Sequence, residues 1–497
     1  MNNVLAPPLT PARKRLILLT CCTSLLMVSM DVTIVNVALP SIRKDFHAAV
    51  SSLQWTIDAY TVVVASFLML AGSTGDRLGR RRTFQTGLFV FSLGSLLCSL
   101  APSIFWLVVF RMMQALGGAM LNPVAMSIVV NVFTDPKERA RALGVWSAVF
   151  GVSLALGPVV GGALTQALGW RSIFWINVPI GALAFLATAR LVPESRAPRV
   201  RRFDGAGQIF VVIGLAALVS GVIEGPRAGW FSPLIVGLLA SAAVAVVGLV
   251  WVESRRREPL IDLRFFRSMT FSSATLLAVL AFASFSAFLF LNSLYLQEVR
   301  LLPARAAGLC TFPAALTVVA CSPLSGRLVA RGQTRAALAI AGTGLTLGAL
   351  SLTQLEAHTP LAWLLVTYAV FGVGLGMVNV PITNTAVSGM PLTQAGVAAA
   401  VASTSRQVGA SLGVAFAGSI VGSAMRGPGH PDFATATHAM WWLVVGCGMT
   451  VAVLAFVSTS EWARATARRV AYLLEEPGGP QPGGPPPRNR NVPTAAE

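Results

Sequence analysis

Long runs of apolar residues, separated by short polar or basic segments, cover the chain from about residue 15 to residue 459. A helix needs about 20 mostly apolar residues to span a bilayer. Fourteen runs reach that length, so the pattern predicts an all-α polytopic membrane protein with fourteen transmembrane helices. The predicted helices cover residues 15–39, 52–72, 83–101, 104–127, 140–165, 172–192, 206–224, 233–253, 270–296, 307–327, 334–354, 361–386, 396–422 and 439–459.

The segment Gly72–Arg82 lies between the second and third predicted helices. It holds three glycines, one aspartate and four arginines in eleven residues. A short basic loop between two membrane helices is expected on the cytoplasmic side, and its glycines let the two helix ends turn tightly. Placing this loop inside the cell fixes the direction of every other predicted helix.

The distribution of lysine and arginine supports this orientation. The segments then placed inside hold 28 of the 37 basic residues, and the outer segments hold seven. The remaining two, Arg111 and Arg406, lie within predicted helices. This bias predicts a multi-pass protein of the cell (plasma) membrane with both termini in the cytoplasm.

The basic loop has a degenerate second copy at Gly326–Gly332, after the tenth predicted helix. An internal repeat of this kind predicts two six-helix halves with one inserted helix pair between them. The predicted divisions are a cytoplasmic N-terminus at 1–14, an N-terminal half at 15–192, a linker with helices 7 and 8 at 193–267, a C-terminal half at 268–460 and a cytoplasmic, partly disordered tail at 461–497.

Composition excludes several partners. Hydrophobic residues make up 55% of the chain and charged residues 11%, whereas soluble domains carry about 25% charged residues. The net charge of +18 is divided among short loops, which favours a lipid bilayer over a nucleic acid as the partner. The six cysteines and four histidines show no metal-ligand spacing, so no metal site is expected.

The sequence also limits the possible energy sources for transport. The chain has three lysines, and none lies in the Gly-Lys-Ser/Thr context of an ATP-binding loop. Uphill transport would therefore run on an ion gradient or on an absent partner, with the proton gradient expected and no cofactor. No combination of histidine, cysteine and acidic residues predicts an enzyme.

Three ionisable residues share one depth in the N-terminal half. Asp31, Asp58 and Arg111 lie in predicted helices 1, 2 and 4, each roughly 9–12 Å below the outer surface at about 1.5 Å per residue. Charged groups inside a membrane are costly and commonly functional. One hypothesis is that Asp31 or Asp58 takes up and releases a proton while Arg111 adjusts its proton affinity. The alternative is a buried ion pair that only neutralises itself.

Further candidates lie in the C-terminal half. Arg406, near the middle of predicted helix 13, could contact substrate or Asn292 in a polar cavity, or it could bond backbone carbonyls. The stripe of Phe282, Phe285, Phe288 and Phe290 could line a cavity, although contact with lipid or packing is the expected role. The substrate-cavity candidates are Asn36, Gln114, Asn292, Tyr295 and Arg406.

Two motifs resemble those of the major facilitator superfamily. Gly72–Arg82 resembles the signature loop of that family. Arg111–Gly118 resembles its helix 4 motif, with Ala115 where glycine is usual.

Three more segments resemble motifs found within the superfamily. Leu156–Gly162 resembles the helix 5 antiporter motif, which marks exporters rather than importers. Met30–Pro40 and Trp170–Gly181 resemble segments of the fourteen-helix drug:proton antiporter branch. The antiporter-motif glycines and proline are Gly157, Pro158, Gly161 and Gly162.

The resemblance implies alternating access by rocking of the two halves. It also implies that Asp76 meets the inner end of predicted helix 13, near Pro391–Val397, where a carboxylate at a helix N-terminus is stabilised. That contact would hold an inner gate shut while the cavity faces outward. The predicted gate residues are Gly72, Gly75, Asp76, Arg77, Gly79 and Arg80.

Together these features predict a monomeric, proton-driven exporter of amphipathic antibiotics or drugs, whose partners are a small-molecule substrate, protons and the bilayer. The alternative is a facilitator-type transporter of a small metabolite such as a sugar or an amino acid. A membrane enzyme or a receptor is a third class, which no sequence motif supports.

Overall fold

The computed structural model describes residues 10–196, 204–256, 261–391, 394–424 and 432–474, and within these ranges the regular structure is entirely helical. The N-terminal half is built from long apolar helices joined by short connections. Its helices are α1 Pro11–Phe46, α2 Val50–Leu78, α3 Arg80–Ser99, α4 Ile104–Val132, α5 Pro136–Leu168, α6 Ser172–Trp175 and α7 Asn177–Leu191.

The inserted pair and the C-terminal half follow. The pair consists of α8 Gly205–Ala228 and α9 Pro233–Arg255, and a short 3₁₀ helix at Leu263–Arg267 leads into the second half. The helices of that half are α10 Met269–Leu294, which continues as a π-helical turn at Tyr295–Val299, then α11 Ala304–Cys310, α12 Phe312–Ala330, α13 Thr334–Leu352, α14 Leu361–Val387, α15 Ala395–Ala424 and α16 Phe433–Ser458.

Each predicted transmembrane segment coincides with a helix or with a broken helix pair, which confirms the all-helical fold. Among the described residues, twelve spans are long and apolar enough to cross a membrane, and a thirteenth is α5, which bends by 40°. The α3 helix has 20 residues but is not among these spans. The all-α fold is established, and the count of fourteen transmembrane helices stays a prediction.

The first helix runs further than its sequence predicts. Pro40 suggests an end near residue 39, yet α1 continues to Phe46 and ends at His47, whose φ is 51°. Proline removes one backbone hydrogen bond, but a long helix can continue past it when neighbouring helices support it. The last turn carries Arg43 and Lys44, which the helix dipole stabilises at this end.

Glycines set the distances between helices within each half. A Cβ atom on Gly94 of α3 would lie 2.6 Å from the backbone of Gln114 on α4. In the second half, a Cβ on Gly374 of α14 would lie 2.6 Å from the backbone nitrogen of Leu345 on α13. Small residues let membrane helices approach closely. In a membrane, this close packing associates the helices, because the hydrophobic effect does not act between helices surrounded by lipid.

The helix directions place the start of α1 and the end of α16 at one end of the bundle, called the terminal end below. The opposite end, called the far end, is where the two halves meet. Arg43 forms an ion pair of 2.5 Å with Glu298, and the Ser293 hydroxyl donates a hydrogen bond of 2.5 Å to the Asn36 carbonyl. Gln297 donates to the Val37 carbonyl at 2.9 Å. These contacts close the far end between α1 and α10.

The inserted pair packs along one side of the bundle, where α8 contacts both α2 and α15. Trp55 of α2 donates a hydrogen bond of 3.0 Å to Glu224 of α8, and Gln208 of α8 donates one of 2.7 Å to the Ser66 carbonyl. Contact with α15 is apolar and includes Ala415. The pair therefore covers the seam between the two halves.

The tail begins with one further helix, α17 Glu461–Leu474, which buries Ala463, Ala467 and Val470. The Thr466 hydroxyl accepts a hydrogen bond of 3.0 Å from the backbone nitrogen of Met269. Residues 475–497, which include the stretch predicted to be disordered, lie outside the described residues, as do residues 1–9 of the predicted N-terminal segment.

Candidate functional site

A buried ion pair links α1 to α4 in the interior of the N-terminal half. Arg111 donates to Asp31 at 2.5 Å, and both side chains are almost wholly buried, with exposed fractions of 2% and 0%. Gln114 accepts from Arg111 at 2.7 Å and donates to Asp31 at 2.8 Å. The three side chains form a closed ring of hydrogen bonds, the arrangement that a buried charge pair needs to be tolerated.

Other helices of the same half complete this network. Asn177 donates to Asp31 at 3.4 Å and to Ser95 at 3.1 Å. The Tyr60 ring lies 4.2 Å from the Arg111 guanidinium carbon, a cation–π contact. The network therefore joins α1, α2, α3, α4 and α7, and the hydrogen-bond partners of the Asp31–Arg111 pair lie within one half.

Asp58 lies elsewhere, although the sequence places it at the same depth. It is fully buried, and its Oδ1 accepts from the Thr61 hydroxyl at 3.4 Å. The Ser411 hydroxyl of α15 faces it, and Oδ2 has no hydrogen-bond partner. One turn earlier on α2, Gln54 donates to the Val414 carbonyl at 3.2 Å. Asp58 therefore belongs to the seam between the halves and not to the Asp31–Arg111 network.

A cavity lies between α5 of the first half and α10, α12 and α14 of the second. Three phenylalanines of α10 line it, and Asn379 of α14 supplies a polar group. The volume of about 50 Å³ is small beside the roughly 300–1,000 Å³ of pockets that hold drug-sized ligands, so such a ligand requires the halves to move apart. The main lining side chains are Phe150, Leu154, Phe282, Phe285, Phe288, Leu289, Val318, Leu375 and Asn379.

The phenylalanine stripe of α10 combines the two roles that the sequence left open, since part of it lines the cavity and part of it packs inside the bundle. Phe282, Phe285 and Phe288 line the cavity, while Phe290 is fully buried. Phe288 also stacks on Phe371 with ring centroids 4.5 Å apart. Hydrophobicity alone cannot separate these faces of α10, because the helix is apolar on every side.

Two polar candidates of the C-terminal half make internal hydrogen bonds. Asn292 is fully buried and accepts from the Tyr368 hydroxyl at 2.5 Å. Tyr295 donates to the Glu356 carbonyl at 2.6 Å. Asn36 of α1 lies in the far-end contacts, where its side chain donates to the Val32 carbonyl. These three residues do not line the cavity described above.

Arg406 lies beside the cavity on α15. Its Nη1 donates to the Thr383 hydroxyl of α14 at 3.2 Å, and its guanidinium carbon lies 5.9 Å from the centre of the Phe282 ring. The side chain is partly exposed. Thr383 is one helical turn from Asn379 of the cavity lining, so Arg406 lies at the edge of the cavity nearer the terminal end.

The basic loop forms a compact corner at the terminal end. Asp76 accepts two hydrogen bonds from Arg80, at 3.1 and 2.9 Å. Gly79 has φ of 115°, a conformation that favours glycine, and a Cβ atom there would lie 2.5 Å from the Glu194 carboxylate. Glu194 also accepts from the Arg81 nitrogen at 3.1 Å. The loop is thus held against the chain that follows α7.

The other loop glycines pack on α4. A Cβ atom on Gly75 would lie 2.9 Å from Val124, and one on Gly72 would lie 3.6 Å from Pro123. The predicted contact of Asp76 with Pro391–Val397 includes residues 392 and 393, which lie outside the described residues. Arg77, the remaining charged residue among the predicted gate residues, is also engaged in an interaction.

The antiporter motif of α5 is a packing surface with two sides. Toward α1, a Cβ atom on Gly157 would overlap the Thr33 hydroxyl, and one on Gly161 would lie 2.5 Å from Ile34. Toward the second half, a Cβ on Gly162 would overlap the Ala304 carbonyl of α11. Nearby, the backbone nitrogen of Arg305 donates to Gln166 at 3.3 Å. These glycines bring α5 against both halves at the far end.

Sequence reasoning missed several partners. The repeat could have pointed to Tyr368, because it occupies the place in α14 that Arg111 occupies in α4. Each lies seven residues after the first residue of its helix, Leu361 in α14 and Ile104 in α4. Glu194, Ser411 and Thr383 carry no such signal, since common polar residues become informative only once the fold brings them to the site. Within the described residues, no group of three or more His, Cys, Asp or Glu could hold a metal ion.

Two helical halves that meet at one end, enclose a cavity and carry buried charge define a polytopic membrane transporter. The chain belongs to the Major Facilitator Superfamily, whose family profile matches residues 21–414.

Curated relatives with resistance functions cover most of the chain. The Multidrug resistance protein Stp of Mycobacterium tuberculosis (strain CDC 1551 / Oshkosh) is 38% identical over 397 residues, 80% of this chain and 74% of the relative. The Tetracenomycin C resistance and export protein of Streptomyces glaucescens is 36% identical over 84% of this chain and 77% of the relative. The Puromycin resistance protein pur8 of Streptomyces alboniger is 33% identical over 90% of both chains.

Solved structures show the same fold at lower identity. The human organic anion transporter MFSD10 superposes with a TM-score of 0.62 at 18% identity, over 90% of this chain and all of that one. A bacterial homologue of the human lysosomal transporter Spinster, in an inward-facing and unoccupied conformation, superposes with a TM-score of 0.60 at 17% identity, over 93% and 99% of the two chains.

Proposed function

We propose that this protein exports amphipathic antibiotics or drugs across the plasma membrane, driven by protons moving inward, through alternating access of the cavity between its halves. Asp58 carries the coupling proton. The curated relatives support the export of drugs, because their names describe multidrug resistance, tetracenomycin C resistance and export, and puromycin resistance.

The observation that carries the proposal is the position of Asp58. Its carboxyl group is fully buried in the seam between α2 and α15, and one oxygen has no hydrogen-bond partner. An ionised carboxylate in that position is costly, and a protonated one is far less so. Neutralising Asp58 therefore favours the closed seam, and its ionised form favours a seam opened to water.

Asp31 has a different role in this proposal. Its carboxylate receives hydrogen bonds from Arg111, Gln114 and Asn177, so the guanidinium and the two amides compensate its charge. All these partners lie within the N-terminal half, so the network moves with that half as a unit. Asp31 and Arg111 keep the half rigid, while Asp58 responds to the movement between the halves.

Alternating access fits the distribution of contacts. The halves meet at the far end through Arg43–Glu298, Ser293–Asn36 and the close approach of Gly162 to Ala304. The far end is the outer one by the distribution of basic residues, so this arrangement has a closed outer side. Opening it exposes Asp58 to protons from outside, and the carrier returns once the neutral side chain permits closure.

The first experiment measures susceptibility to a panel of antibiotics in an efflux-deficient host, with and without this gene. Resistance to at least one amphipathic compound is expected. Uptake of that compound is then compared between inside-out and right-side-out vesicles. Export predicts accumulation in inside-out vesicles only, and accumulation of a sugar or an amino acid in right-side-out vesicles would favour the metabolite transporter instead.

The second experiment tests Asp58 in proteoliposomes loaded with a pH-sensitive dye. Asp58→Asn is expected to abolish drug-dependent proton movement while keeping drug exchange down its own gradient, because exchange requires movement of the halves but no proton. Thr61→Val, which removes the neighbouring hydroxyl, is the matched control and should retain coupling. Full proton coupling in Asp58→Asn would refute the assignment.

A further inference from the structure

The cavity has one charged side chain at its edge, Arg406, and no counter-charge beside it. Among the described residues, no carboxylate lies within 4.0 Å of the Arg406 guanidinium, whereas Asp31 is paired with Arg111 at 2.5 Å. Within the described residues, Arg406 makes one hydrogen bond, to the Thr383 hydroxyl at 3.2 Å, and one cation–π contact, with the ring of Phe282. A guanidinium has five N–H donors, so most of its donors remain available.

Three acidic residues of the membrane region have partners away from the cavity. Asp31 is enclosed by the N-terminal half, and Asp58 faces Ser411 across the seam with α15. Glu224 accepts a hydrogen bond from Trp55 on the side covered by α8. The lining of the cavity itself is apolar and aromatic apart from Asn379 and a few hydroxyl groups. The electrostatic potential at the edge of the cavity is therefore positive.

Aromatic rings extend from Arg406 into the cavity. Phe282 lies under the guanidinium and also lines the cavity, and Phe285 packs against it at a centroid distance of 6.4 Å. Phe288, which follows Phe282 by nearly two turns of α10, also lines the cavity. A flat aromatic molecule can stack on these rings while an acidic group on its rim reaches Arg406.

We propose that the exported substrates are aromatic amphiphiles that carry a negative charge, such as a carboxylate, a phenolate or an enolate, and that Arg406 binds that charge while Phe282, Phe285 and Phe288 bind the ring system. This inference rests on the proposed export function and adds the substrate class. Arg406 lies at the terminal-end edge of the cavity, so it meets the substrate first when the cavity opens to the cytoplasm.

The test uses two dyes with the same xanthene ring system and opposite charge, fluorescein as the anion and rhodamine 123 as the cation. Energised inside-out vesicles containing the full chain are assayed for uptake of each. The wild-type protein is expected to accumulate fluorescein. Arg406→Gln should lower fluorescein uptake by about tenfold or more, since a hydrogen bond to a charged group is worth roughly that factor, and should leave rhodamine 123 uptake unchanged or raised.

Two further variants separate binding from folding. Arg406→Lys keeps the charge but loses the planar fork, so an intermediate loss of fluorescein uptake is expected. Arg335→Gln is the matched control, because Arg335 also lies over a phenylalanine ring, Phe456 at 5.5 Å, and bonds a threonine hydroxyl, Thr459, but does not line the cavity. It should transport both dyes as the wild type does.

The outcomes distinguish this inference from the export function. Wild-type uptake of rhodamine 123 without fluorescein, or equal fluorescein uptake by the wild type and Arg406→Gln, overturns the inference and leaves export standing. Loss of both dyes in Arg406→Gln, with normal folded yield, also overturns it, because the effect would not depend on substrate charge. A wild-type protein that moves neither dye counts against the inference and against the proposed function together.

Discussion

The two halves join their equivalent helices through different side chains. At matching places in the repeat, α1 pairs with α4 through Asp31 and Arg111, and α10 pairs with α14 through Asn292 and Tyr368. The first pair joins an aspartate to an arginine and is surrounded by further polar side chains, whereas the second joins an asparagine to a tyrosine and adjoins stacked phenylalanines. The comparison teaches that the same contact between equivalent helices is made by charged side chains in the N-terminal half and by neutral side chains in the C-terminal half.

This difference suggests that the two halves have different roles in transport. Phe288 contacts both Tyr368 and Phe371 and also lines the cavity, so the neutral pair of the second half supports a substrate surface. The charged pair of the first half does not line the cavity, and we propose that it keeps that half rigid. Proton handling and substrate binding would then depend on different halves.

The largest effect is expected from breaking the charged pair on one side. Asp31→Asn leaves the Arg111 guanidinium buried without a counter-charge, which costs about 3–5 kcal/mol. A severe loss of folded yield and a lower melting temperature in detergent are expected. The double variant Asp31→Asn, Arg111→Tyr recreates the neutral pair of the second half and should recover much of the lost stability. A double variant no more stable than Asp31→Asn would show that the two pairs are not equivalent.

The next effect tests whether the halves must touch at the far end. Gly162→Val places side-chain atoms where the Ala304 carbonyl of the other half lies. Because backbone cannot yield as a flexible side chain does, the closed far end should be lost, and transport should fall by about tenfold or more. Gly144→Val on the same helix is the control, since a Cβ there meets nothing within 4 Å. Cysteine accessibility from outside would measure the closure, and equal accessibility in both variants would contradict this expectation.

A smaller effect is expected from the neutral pair. Tyr368→Phe removes the hydroxyl that donates to Asn292 at 2.5 Å, so a buried amide oxygen loses its partner at a cost of about 1–3 kcal/mol. A lowered melting temperature with proton coupling intact is expected. If Tyr368→Phe instead uncoupled proton movement from drug movement, the proposed division between the halves would be wrong.

The smallest effect concerns Asp432, which caps α16 outside the membrane. Hydrogen bonds from the Thr435 side chain and backbone lower the pKa of this carboxyl group, so its stabilising contribution is present above the pKa of the unfolded chain and is lost as the pH falls through the lower folded value. Asp432→Ala should cost about 1 kcal/mol and reduce the acid sensitivity of unfolding. An unchanged pH profile of the melting temperature would show that the cap contributes nothing.

The fold could be predicted almost completely from the sequence, because apolar length and the basic loops carry information that needs no tertiary contact. Position along a helix gave the shared depth of Asp31, Asp58 and Arg111, but not which face each one occupies. In a bundle that is apolar on every side, the face depends on neighbouring helices. The separation of Asp58 from Arg111 and the exposure of Phe282 to the cavity therefore required the structure.

Under the proposed export of amphipathic drugs, the inserted pair limits the side of the bundle from which a compound can enter. Helix α8 is tied to α2 by Trp55–Glu224 and Gln208–Ser66 and packs apolar side chains against Ala415 of α15. During the proposed movement of the halves, α8 should therefore move together with the N-terminal half while α15 shifts relative to it. If the halves rock as proposed, the inserted pair would cover one of the two lateral openings toward the lipid, and a compound in the inner leaflet would then enter on the other side, beside α5 and α12.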